Sequence, residues 1–112
     1  MEPQKAERLA RSLIQAMERG FRSHLGDRAR DRDFIGELYL GLRRTLAQVK
    51  DADVRETAER RGIVDELALT AYLIAASRHP GAQVDPELIE SLRGAIARAL
   101  SGTRQTPTAP AS

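Results

Sequence analysis

Apolar side chains recur along this chain at intervals of three and four, and no stretch alternates strictly, so the pattern predicts helices and no strand. A first helix is expected from about Pro3 to Leu25, with Gly26 as its stop. Ala6, Leu9, Ala10, Leu13, Ile14, Met17, Phe21 and Leu25 fall on one side of that cylinder. The alternating charges of "GDRARDRD" follow, where Asp31 or Asp33 can cap the next element. A second helix is expected from about Phe34 to Lys50, with Phe34, Ile35, Leu38, Tyr39, Leu42, Leu46 and Val49 turned inward.

"DVRE", residues 53–56, has the spacing of a capping box and predicts a short third helix ending near Gly62. A fourth helix is expected from about Ile63 to Arg78, ended by "HPG" at 79–81. Asp85 as cap and Pro86 in the first turn open a fifth, which carries Leu88, Ile89, Leu92, Ala95, Ile96, Ala99 and Leu100. Residues 101–112, "SGTRQTPTAPAS", are small, polar and proline-bearing, and read as a disordered tail. The fold expected is all-α: one compact bundle over residues 1–100, of about five helices, four longer and one short.

The fourth helix differs from its neighbours. Ile63, Val64, Leu67, Ala71 and Ile74 make one apolar face, while Leu69 and Leu73 lie on nearly the opposite side. A helix apolar all round has to be covered all round. Either it runs through the centre of the bundle or a second copy covers its outer side, and the small number of neighbours favours a homodimer.

Composition narrows the setting. The 112 residues contain no cysteine, so disulfides and thiolate metal sites are excluded, and a reducing cytosol is the expected compartment. The charged start "MEPQKAERLARSL" does not resemble a secretion signal. The least polar run, "LALTAYLIAAS", is about half the roughly 20 residues a membrane span needs. Richness in arginine and alanine suggests a GC-rich bacterial genome, which is coding bias and not function. The net charge of +2 is too small to imply a nucleic-acid partner. What basic excess exists sits in residues 1–32, with 8 basic and 5 acidic groups.

Three features invite a chemical reading. "TAERRGI" looks like the first half of a helix-turn-helix with Gly62 at the turn. The would-be reading helix, "VDELALTAYLIAAS", starts with Asp65 and Glu66 and holds no Arg, Lys, Asn or Gln to reach a base edge. A better candidate is a stripe on the first helix, where Arg8, Arg11, Arg19 and Arg22 flank Gln15 opposite the apolar face. Four guanidinium groups along roughly 20 Å of helix suit carboxylates on a partner, or phosphates, and otherwise form a solvated face. The third is a line on the second helix, Gly36, Leu40 and Ala47, where an interior glycine suggests close approach by another helix or by a partner.

His24 and His79 stand at helix ends, where the dipole accounts for them, and neither has a metal-binding companion at helical spacing. No phosphate loop and no nucleophile setting is present. The sequence therefore points to a non-enzymatic cytoplasmic protein without cofactor or metal. Its expected role is to bind another protein, as an adaptor, chaperone or anti-activator. Leu69, Leu73, Gly36, Leu40 and Ala47 are the expected partner or dimer interface, and the arginine stripe with Gln15 supplies orientation. The alternatives are a DNA-binding regulator with a degenerate helix-turn-helix and an accessory subunit of a larger complex.

Overall fold

The computed structural model describes residues 1–50, 57–80 and 85–103. They form four α-helices in chain order: α1 (Pro3–Leu25), α2 (Arg32–Ala47), α3 (Thr57–Arg78) and α4 (Pro86–Thr103), with a 3-10 turn at Gly26–Arg30 between the first two. Among the described residues there is no strand. Each helix packs on the helices before and after it, and α4 returns to α1, which closes a ring of four.

Local chemistry explains most of the boundaries. Pro3 opens α1, where its missing N–H costs nothing. Gly26 ends it with φ +63°, a backbone conformation that a side chain disfavours, and its N–H donates to the carbonyl of Arg22. The 3-10 turn then tucks Ala29 into the core. The Asp31 side chain makes no capping bond to α2, although Asp33 lies in its first turn. At α4 the expected cap does form, with the Leu88 N–H donating to Asp85 Oδ1 at 3.2 Å.

Two boundaries differ from the sequence reading. Helix α2 ends at Ala47 and not at Lys50, its last turn tightened by bonds from Gln48 N to Thr45 O and from Val49 N to Leu46 O. Helix α4 runs on to Thr103, past Leu100, so the first three residues of the expected tail are helical; the rest of it lies outside the described residues.

The larger correction concerns residues 57–78. The expected short helix, turn at Gly62 and new helix are one uninterrupted helix, with Gly62 in its interior. A lone glycine costs a helix about 1 kcal/mol, and the run of apolar contacts on its C-terminal side outweighs that. The capping-box residues 53–56 lie outside the described residues.

The core is a single apolar cluster. Leu13 and Met17 from α1, Phe34, Leu38 and Leu42 from α2, Leu67 and Ala71 from α3, and Leu88, Leu92 and Ile96 from α4 are shut off from solvent. No polar or charged residue among those described is buried. Phe34 sits between Phe21 and His79, with edge-on contacts whose ring centroids lie 5.1 Å away in both cases.

Glycines mark where helices come closest. A Cβ on Gly20 of α1 would stand 2.6 Å from Ser91 Oγ of α4, and one on Gly41 of α2 would stand 3.3 Å from Thr70 Cγ2 of α3. Gly36, the glycine singled out in sequence, has no atom within 4 Å of that position. The close approach on α2 is made by Gly41 instead, further along the helix and on the side that faces α3.

Candidate partner-docking surface

Gly41 meets both Thr70 and Ile74, so the middle of α2 and the middle of α3 lie at one level. Leu40, Leu69 and Leu73 each precede one of these contact residues. One residue back along an α-helix is about a 100° rotation, and in two antiparallel helices that rotation turns both sets the same way. The residue that follows Gly41, Leu42, is fully buried, which fixes the opposite direction as outward. The three leucines therefore share the outer face of the α2–α3 layer at one height. They are 48%, 51% and 54% exposed, where large apolar side chains elsewhere on the four helices are mostly covered.

Helix α3 contacts α2 on one side and α4 on the other, so it is not central. Its inward side buries Ile63, Val64, Leu67, Ala68, Ala71 and Ala75, while its outward side is bare at Leu69 and Leu73. Of the two ways to cover a helix apolar all round, the first, a central place in the bundle, is not the one this fold takes.

Charges frame the leucines. At one end of the layer, Arg78 of α3 bonds Glu37 Oε1 at 2.7 Å, with Asp31 and Asp33 each 3.7 Å from its other terminal nitrogen. The hydrogen bond to Glu37 raises the Arg78 pKa above its ordinary value, partly offset by desolvation and helped by the charges of Glu37, Asp31 and Asp33. Towards the other end, Arg44 of α2 is exposed and has no carboxylate partner among the described residues.

The remaining predicted residues fall elsewhere. Ala47 is exposed beside Leu40, in a shallow cleft shared with Pro3, Ala6, Glu7 and Arg43. Gly36 lines a different groove, between α1 and α2, with Ile35, Tyr39, Arg11 and Ile14. Ile35, assigned in sequence to the buried side of α2, is exposed, because α2 turns it towards that groove.

The arginine stripe divides. The Arg11 guanidinium lies 5.4 Å from the centre of the Tyr39 ring, and Arg43 approaches the same ring at 5.4 Å. Arg19 and Arg22 line a groove of about 1000 Å³ on the other flank of α1, where Arg98 and Ser91 of α4 join them. Arg22 pairs with Glu18 at 3.8 Å, Gln15 borders both grooves, and Arg8 is exposed. Sequence spacing placed these side chains on one face; only the helices on either side decide which groove each one enters. The stripe lies away from Leu69 and Leu73, since α1 and α3 are diagonal in the ring, while Leu40 on α2 also borders the cleft with α1.

His24 joins two helix ends. His24 Nδ1 lies 3.0 Å from the Gly20 carbonyl, and its Nε2 faces Asp85 at 3.5 Å and Glu87 at 3.9 Å, which ties the end of α1 to the start of α4. Among the described residues, no group of three or more His, Asp or Glu is placed to hold a metal ion, and no helix is long and apolar enough to cross a membrane. No protein-family model, no curated protein and no solved structure matches this chain.

Proposed function

We propose that the chain is a non-enzymatic protein-binding module, of the adaptor, chaperone or anti-activator kind, and that it docks another polypeptide through the outer α2–α3 face. One observation carries the reading: three large leucines half exposed at one level of one face, on a bundle whose core is otherwise closed. Fully burying a leucine is worth about 1.5–3 kcal/mol, so each half-exposed one still has roughly 1 kcal/mol to gain from a partner.

The arginines of α1 then serve a separate contact. Arg11 is held on Tyr39, while Arg19 and Arg98 flank a groove open to an acidic group. The DNA-binding alternative loses its main support, because Gly62 is helical and the two-helix geometry around it is not formed.

Affinity capture from native lysate tests the reading, comparing wild type with a Leu69→Glu, Leu73→Glu double variant, each with and without nuclease. These are surface substitutions, expected to change stability by no more than about 0.5 kcal/mol each. A protein retained by wild type, resistant to nuclease and lost from the variant supports the reading. Identical retention by both chains sinks it. Association that disappears with nuclease transfers the question to nucleic acid.

A further inference from the structure

The charge pattern along the outer side of α2 is self-complementary about Leu40. Along the outer side of α2, Glu37 and Arg44 lie on either side of Leu40, at almost equal distances from it. Glu37 and Asp33 make the N-terminal half of this line acidic; Arg44 makes the C-terminal half basic. Turned end over end about an axis through Leu40, Glu37 of one copy falls beside Arg44 of the other, and Arg44 beside Glu37.

The same axis serves α3. Because Gly41 meets Thr70 and Ile74, an axis crossing α2 at Leu40 and perpendicular to both helices crosses α3 near Leu73. There it brings Leu73 of one chain over Leu73 of the other and sets Leu69 of each chain opposite Ala76 and Ser77 of its partner copy. A two-fold interface requires that residue i meet j while j meets i, and both helices satisfy this with one operator.

We propose that the outer α2–α3 face is the interface of a symmetric homodimer. In it α2 packs antiparallel on α2 of a second copy, and α3 likewise on α3. Leu40 and Leu73 lie at its centre with Leu69 a turn away, and Glu37 of each chain faces Arg44 of the other. The proposal rests on the reading above that this face docks a polypeptide.

The area suffices. At 1.5 Å per residue α2 is about 24 Å long, and two helices side by side are roughly 20 Å wide, so the flat face is about 500 Å² per chain. The total of about 1000 Å² reaches the lower limit for a specific interface. Glu37 already accepts a bond from Arg78 on one oxygen, and a carboxylate has room for a second donor. Arg44 has no carboxylate partner among the described residues of its own chain, so a second copy is what completes it.

The test is the solution mass of the full chain by light scattering and sedimentation, across concentrations up to about 100 µM. Wild type is expected as a dimer, and Leu69→Glu with Leu73→Glu as a helical monomer by circular dichroism. Arg44→Glu sets a new carboxylate against Glu37 at both symmetric contacts, and is expected to weaken the dimer about tenfold or more, with less effect at high salt. Mixing Arg44→Glu with Glu37→Arg restores opposite charges at both contacts, so a heterodimer is expected to form in preference to either homodimer.

A monomeric wild type overturns the proposal. So does a dimer indifferent to the leucine substitutions, which uses another face, or one indifferent to Arg44→Glu, which uses another register. If Glu37→Arg does not fold, Arg44→Glu and its salt dependence still decide. A monomeric wild type that nonetheless loses a captured protein on the leucine substitutions removes the second copy but keeps the docking face. No change in either experiment removes both.

Discussion

A Cβ built on Gly41 stands 3.0 Å from Cδ1 of Ile74, closer than side chains normally approach. This contact sets the spacing of α2 and α3, and with it the level of the leucines on their outer face. Gly41→Ala gains about 1 kcal/mol of helix propensity but has to displace the Ile74 and Thr70 methyls by a few tenths of an ångström. Both are ends of mobile side chains, so the net change is expected within about 1 kcal/mol of zero. Gly41→Leu has no such escape and is expected to lose about 1–3 kcal/mol in urea melts.

Gly62 and Gly36 should behave in the opposite sense. Neither has an atom within 4 Å of a built Cβ, and both are helical. Alanine at either position is expected to stabilise by about 0.5–1 kcal/mol. A loss of stability for Gly62→Ala would mean that the chain turns at that residue after all.

Gly26 is the one described glycine with positive φ, and open space around it does not help a substitute. Gly26→Ala is expected to destabilise by about 1–2 kcal/mol, through backbone strain at the end of α1. Comparing it with Gly62→Ala in the same thermal series separates strain from propensity.

Phe34 is fully buried and touches aromatic rings on both sides, from α1 and from the residue after α3. Phe34→Ala is expected to cost about 3–5 kcal/mol, a large share of the stability of a domain this size. Phe34→Leu keeps most of the volume and should recover the greater part of that loss. Equal loss in the two variants would show that the cavity is not the cause.

Arg78 holds Asp31, Asp33 and Glu37 together on the surface, and its hydrogen bond to Glu37 raises its pKa above the ordinary arginine value. The stability linked to that shift is fully present below the ordinary arginine pKa and is lost only as pH rises past the raised one. No change with pH near neutrality is therefore expected from this group. Arg78→Gln is expected to lower the melting temperature at low salt, with the difference shrinking at about 1 M salt as exposed charges are screened. A salt-independent loss would point to packing of the arginine stem instead.

How much of this was written in the sequence depends on the range of the interaction. The apolar period, the proline at position 3, the glycine at 26 and the Asp85–Pro86 pair act within a turn or two of helix, and they located α1 and the start of α4. The same local logic failed at Gly62. Its propensity penalty is a local quantity, while the contacts that carry α3 straight through it come from other helices.

The face of each helix was legible, but not what lies against it. Spacing alone placed Leu69 and Leu73 opposite the core side of their helix, and they are exposed. It also placed Gly36 at a supposed close contact and left Gly41 without a role, and the packing reversed the two. Periodicity reports direction around one axis, and close approach is a relation between two axes. For the same reason the arginines of α1 share a stripe in sequence but enter two grooves in the fold. The sequence by itself determined that the chain is helical and that one helix has apolar side chains to spare. Tertiary structure decided which neighbours cover them, and left three leucines at one level on the outside.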